Sequence, residues 1–166
     1  MIRIDRLTEK VADLQKARQQ IDAHRNQWKT ITRPFLLDQL TLVKEAFPIG
    51  WSLTHSDSAW TNLDQVALSF DNTDSGIVAI ETNQPVVKQG GGLVFGQFVN
   101  GKIVVMIVYP AIKDFARPSV PKQIGAFDPD EIDAEFVTRV LIQFLEEMAE
   151  WEENGERSLP QIGFDH

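Results

Sequence analysis

His55, Ser56, Asp57 and Ser58 stand side by side and supply the residue types of nucleophilic catalysis: an imidazole base, a carboxylate to orient it, and two hydroxyls. On an extended strand His55 and Asp57 leave from the same face, so the carboxylate could hold the ring. No Gly-x-Ser-x-Gly elbow marks either serine as a nucleophile, and a surface turn after an edge strand is the expected role. Gly96 to Lys102 matches the first seven positions of a phosphate-binding loop, yet Ile103 stands where Ser or Thr would hold magnesium. The context expected there is a β-hairpin, with no helix N-terminus to face a phosphate. Gly90-Gly91-Gly92 could offer consecutive amides to an anion, with Lys88 the one nearby cation, but a flexible entry into the hairpin accounts for it more simply.

Metal chemistry has little to work with. The three histidines, His24, His55 and His166, are far apart, and no cysteine is present to supply a thiolate ligand or nucleophile. Glu146, Glu147, Glu150, Glu152, Glu153 and Glu156 are clustered, but carboxylates on a continuous helix splay outward and lack the carbonyls of a calcium loop. No catalytic residue, cofactor or metal site is therefore assigned. The acid cluster does break a local rule, because a helix C-terminus carries partial negative charge and prefers cations. A basic partner would resolve the conflict. It could be the Lys10, Lys16, Arg18 and Arg25 side of the N-terminal helix, or another protein.

The elements that must position these residues are legible to different degrees. Gly92 to Tyr109 contains two β-branched and aromatic runs around Asn100-Gly101, the signature of a hairpin with a two-residue type I′ turn. That turn would pair Phe98 with Ile103, Gln97 with Val104, Gly96 with Val105 and Phe95 with Met106. Both faces of the ribbon are then mainly apolar, so each needs a cover: a helix, a second sheet or another subunit. Trp51 to Ser56, Gln65 to Phe70 and Gly76 to Thr82 read as strands, with Asn83 to Gly91 as a loop, which makes a five-stranded antiparallel meander. Pro110 to Asp128 has no clear period and reads as a long loop.

Helical periodicity brackets the sheet. From Asp5 to Lys29, Leu7, Val11, Leu14, Ile21 and Trp28 fall at heptad-like spacing, with Arg18 and Arg25 in two seam positions. This helix either lies along its own domain or pairs with a partner. Thr30 to Arg33 reads as a break or kink before Pro34, after which Leu36, Leu40, Val43 and Phe47 share one helical face. Asp128-Pro129-Asp130-Glu131 opens a final helix expected to run to Asn154 and stop at Gly155. Its broad apolar face, including Ile132, Phe136, Val140, Phe144, Met148 and Trp151, would cover the sheet.

The chain has 166 residues and a net charge of -8, distributed as +3 over residues 1–45, -1 over 46–127 and -10 over 128–166. Acidity argues against nucleic-acid binding, and the polarity instead implies two ends that attract, within one chain or between two. No run approaches a membrane span and the opening residues do not read as a secretory signal, so no membrane association is expected and the cytoplasm is the expected compartment. The expected architecture is α+β: an N-terminal amphipathic helix over 1–33, an α+β domain over 34–157 with a four- to five-stranded antiparallel meander and a long C-terminal helix packed on it, and a tail over 158–166.

The expected function is that of a small cytoplasmic interaction or adaptor protein, homo-oligomeric or bound to a protein with a basic surface. Leu7, Val11, Leu14, Ile21 and Trp28 would be the apolar contacts, and Glu146, Glu147, Glu150 and Glu153 the acids that set specificity. The alternative is a small-molecule-binding or enzymatic domain whose pocket lies between the sheet and the C-terminal helix, where Gly96 opposite Val105 would leave room.

Overall fold

A computed structural model describes residues 1–57, 63–115 and 119–155. Ser58, Pro118, Glu156, His166 and the 158–166 tail lie outside the described residues. The fold is α+β, in the chain order helix, sheets, helix.

Of the break or kink expected at Thr30 to Arg33, the break does not occur, and the helix carries a local irregularity instead. Helix α1 (Ile4–Gln27) passes through a π turn (Trp28–Thr32) directly into α2 (Arg33–Ala46), with helical backbone angles throughout. Pro34 explains the widened turn. Proline has no N–H to donate and its ring crowds the carbonyl four residues back, and the extra residue of a π turn relieves both. The Arg33 N–H accordingly reaches back to the Trp28 carbonyl.

Eight strands follow: β1 (Trp51–Asp57), β2 (Asp64–Phe70), β3 (Thr73–Ala79), β4 (Gln84–Gln89), β5 (Gly92–Gln97), β6 (Ile103–Val108), β7 (Ala111–Ile112) and β8 (Lys122–Phe127). They form an antiparallel sheet ordered β1-β2-β5-β6-β8 and a smaller one ordered β3-β4-β7. The simple meander therefore gives way to a five-stranded one that carries a side sheet. Two stretches read as loops, Asn83 to Gly91 and Pro110 to Asp128, contain β4, β7 and β8. Pro85 and the weak alternation of Lys122–Phe127 hide them: Pro85 pairs with Val78 on one side only, since β7 reaches just Lys88 and Gln89, and β8 is the edge strand of the larger sheet.

The central hairpin is shifted by one residue from the expected register. Gln97 pairs with Ile103, Gly96 with Val104 and Phe95 with Val105. The turn closes through Gly101 N–H to the Phe98 carbonyl (3.0 Å) and Phe98 N–H to the Lys102 carbonyl (2.9 Å). Only Gly101 of the turn has a positive φ, 80°, so the connection is a three-residue loop with a glycine bulge rather than type I′. Packing selects this register. It puts Leu93, Phe95, Ile103, Val105, Ile107 and Tyr109 on one face, where all six are buried.

That face holds the core. Leu36 and Leu40 of α2 join it to Phe136, Val140, Phe144, Met148 and Trp151 of α3 (Ala134–Asn154) in one apolar cluster. Both helices thus cover the same side. On the opposite side Val94, Val104, Met106 and Val108 are half-buried and belong to no such cluster, so the second expected cover is not supplied by a helix of the chain. The final helix also begins later than expected. Asp128 and Glu131 form a capping box on a short 3-10 turn (Pro129–Glu131), and α3 starts afresh with Asp133 accepting the Phe136 N–H at 2.8 Å. Gly155, in the left-handed conformation, ends it.

The glycine run is required by close approach. A Cβ on Gly90 would lie 2.1 Å from the Phe70 carbonyl oxygen, and one on Gly91 would lie 2.5 Å from Met148 Sδ. Gly90→Ala is expected to cost about 1–3 kcal/mol, since backbone cannot yield as a side chain can. Urea unfolding with an unchanged m-value and a lower midpoint is the expected readout.

Candidate functional site

Three features carry polar or exposed apolar groups that the core does not consume. The first is centred on Asp64, the opening residue of β2. It has the same inward phase as Val66 and Leu68, so its carboxylate enters the core face, and its side chain is only 6% exposed. Oδ2 accepts from Arg33 Nη1 at 2.7 Å and Trp28 Nε1 at 3.2 Å. His55 Nε2 stands 3.0 Å from Oδ1 without the alignment of a formed hydrogen bond, so it acts through charge when the imidazole is protonated. The Asp64 backbone N–H donates to Gln97 Oε1 at 3.1 Å. Burial opposes the charge on Asp64, but the Arg33, His55 and Trp28 contacts outweigh it and hold the carboxyl below its ordinary range.

The Asp64 carboxylate therefore ties the π turn, the start of α2 and β1 together, and its backbone N–H adds β5. His55 faces Asp64, and among the described residues no hydroxyl is hydrogen-bonded to it. The arrangement is a structural clamp. Sequence reading missed it, although an acid in phase with a buried Val-x-Leu alternation is a detectable signal of an inward charge.

The second feature is the outer part of α1. Every residue from Met1 to Gln20 is exposed, and α1 buries none of its residues. Leu7, Val11 and Leu14 are about half exposed (49%, 51% and 51%), and Ile4 extends the same row. The row continues inward, where its members meet their own domain. A Cβ on Gly101 would lie 2.7 Å from His24 Cβ and 2.9 Å from the Ile21 carbonyl, so the hairpin tip rests on the helix there. Arg25 Nη2 donates to the Val99 carbonyl at 2.8 Å, and Gln27 Nε2 to Asp130 Oδ1 at 2.5 Å. The five apolar residues assigned to an interface thus separate. Leu7, Val11 and Leu14 are free, Ile21 is half-buried at the hairpin tip, and Trp28 is a core residue, 1% exposed.

The third is the acidic end of α3, and it too divides. Glu147 is not a free acid: it accepts from Tyr109 Oη at 2.9 Å and Lys122 Nζ at 2.5 Å, with its side chain 15% exposed. Glu152 pairs with Lys88. Glu146 and Glu153 are exposed and Glu150 is half-buried. Among the described residues no ion pair joins α1 to α3. Gly96 opens no space beneath α3, although a cleft does lie between that helix and the sheet farther along, at Gly90 and Gly91. Gly96 lies opposite Val104 on the outer face, while the space under α3 is filled by Phe144, stacked 5.8 Å from Phe70, and by Phe136 against Phe127.

Among the described residues no group of three potential ligands could hold a metal, and no helix is long and apolar enough to cross a membrane. Comparison with known proteins finds no matching family model, curated protein or solved structure.

Asp64→Ala is expected to destabilise the fold by about 3–5 kcal/mol, because it leaves the Arg33 charge and the Trp28 N–H facing an empty site. The pH dependence has a definite sign. With its folded pKa lowered, Asp64 contributes stability that is fully present above the ordinary carboxylate value of about 3.9 and is lost as pH falls through the folded value. Urea midpoints measured from pH 7 to pH 3 should drop on the acid side in the wild type, and Asp64→Asn should flatten that part of the curve.

Proposed function

We propose that this protein is an interaction protein that works by self-association, with the outer part of α1 as the pairing arm and a second copy of the chain as its partner. The observation that carries this reading is a helix whose outer turns bury none of their residues yet keep an apolar row, Ile4, Leu7, Val11 and Leu14, at heptad spacing. In that heptad Ile4 and Val11 occupy a positions and Leu7 and Leu14 occupy d positions. β-branched residues at a with leucine at d favour two parallel strands.

A parallel pair places both domains at the same end, and the exposed Phe98 and Val99 of the hairpin tip, beside Arg25, would continue the apolar surface inward. Arg18 sits at the next a position and faces its own counterpart, which limits stability and fixes the register. Two apolar heptads per chain, each buried side chain contributing about 1.5–3 kcal/mol, must offset an association cost of about 4–15 kcal/mol. A micromolar dissociation constant, about 8 kcal/mol, falls within the range these two terms leave. The exposed Glu146 and Glu153 discourage approach of like-charged surfaces and leave the arm as the apolar route to contact.

Light scattering at about 100 µM, well above a micromolar dissociation constant, should report a dimer. The double substitution Leu7→Asp with Leu14→Asp should give a monomer with an unchanged urea midpoint, since neither side chain touches its own domain. Arg18→Leu should tighten the dimer about tenfold or more by replacing a like-charge pair with an apolar layer. A wild-type monomer under these conditions would sink the proposal.

A further inference from the structure

A cleft of about 470 Å³ opens between α3 and the corner where β2 and β4 turn toward β5. That size lies within the range of small-molecule sites. Its making follows from features already described. Gly90 and Gly91 draw the backbone in so closely that the corner sits beneath Met148, and no side chain from these positions can fill the space above. Phe70, held between Trp51 at 5.4 Å and Phe144 at 5.8 Å, presents a fixed aromatic wall. Pro110 and Leu145 complete the apolar lining, and Ile49 and Leu145 at the mouth remain 52% and 38% exposed.

The polar groups have a definite sign. Asp71, Lys88 and Glu152 stand around the opening. Lys88 is already paired with Glu152, and its Nζ lies 5.2 Å from the centre of the Trp151 ring, so its charge is met on two sides. Asp71 is exposed and receives the Ser52 hydroxyl on Oδ1 at 2.6 Å. Glu152 belongs to the last turn of α3, where the final carbonyls add partial negative charge. An entering anion would meet two carboxylates and a helix C-terminus, whereas a cation would meet a carboxylate oxygen with room to accept.

We infer that this cleft binds an amphipathic amine, its aromatic or branched alkyl body against Phe70, Leu145 and Met148 and its ammonium group donating to Asp71. The inference does not rest on self-association, since the cleft uses no residue of α1. Phenethylamine and phenylpropionate, matched in body and opposite in charge, are the probes, added to the full chain and followed by amide and methyl NMR shifts. The amine is expected to saturate shifts at Gly90, Gly91, Leu145 and the Met148 methyl, and the acid to bind about fivefold more weakly or worse. Asp71→Asn should weaken the amine about fivefold while leaving the acid unchanged or slightly tighter. Ala149→Trp, at an exposed helix position on the rim, should fill the cleft and abolish both. Absence of saturable shifts, equal binding of the two probes, or wild-type binding by the Ala149→Trp chain would each overturn the assignment. Repeating the titration on the Leu7→Asp, Leu14→Asp chain should reproduce the wild-type result and so separates it from the dimer.

Discussion

The structure depends on a buried carboxylate that is never left alone. Asp64 would be costly in the core by itself, and it is tolerated because an arginine, an indole N–H and an imidazole converge on it from three different elements. Its effect is geometric more than stabilising. Apolar residues in place of the whole paired set could make an equally firm core, but they would not specify which part of a continuous helix from Ile4 to Ala46 meets the sheet. With Trp28 and Arg33 pinned to one oxygen, the crossing point is fixed. Everything N-terminal to Ile21 is left outside, and after Thr32 the helix turns Leu36 and Leu40 into the core.

The sheet shows how packing overrides turn chemistry. Asn100-Gly101 invites a two-residue turn, and in that register Met106 would be drawn to the core while Val105 faced out. One added loop residue exchanges the faces and brings six bulky side chains under both helices. The outer face, left with Gly92, Gly96, Ala67 and a few valines, is shallow enough to be half-buried by neighbouring side chains alone. Two-sided apolar character in a sequence need not mean two covers.

What could be read from the sequence was whatever depends on local pattern. The α+β class, the apolar face of α3, the Asp128 capping box and the positions of β1, β2, β5 and β6 all follow from periodicity and capping. What could not be read depends on pairing at a distance. The hairpin register was decided by helices far away in sequence. Pro85 obscured β4 because the eye takes proline as a strand breaker, although its missing donor costs little where few partners exist. Of the assigned interface residues, Leu7, Val11 and Leu14 keep the exposure the role needs. Trp28 and Glu147 were indistinguishable by type from exposed residues of the same rows, and only the positions of Asp64, Tyr109 and Lys122 assign them inward.

The π turn at Trp28–Thr32 is also a gear setting. A helix advances about 100° per residue, so the wide turn sets the rotational phase between the row that leaves the domain and the row, through Leu36 and Leu40, that enters it. Gain or loss of a single residue there would swing the outer row a quarter-turn or more around its axis while leaving every side chain on it unchanged. Over those five positions, length constrains the molecule more tightly than identity does.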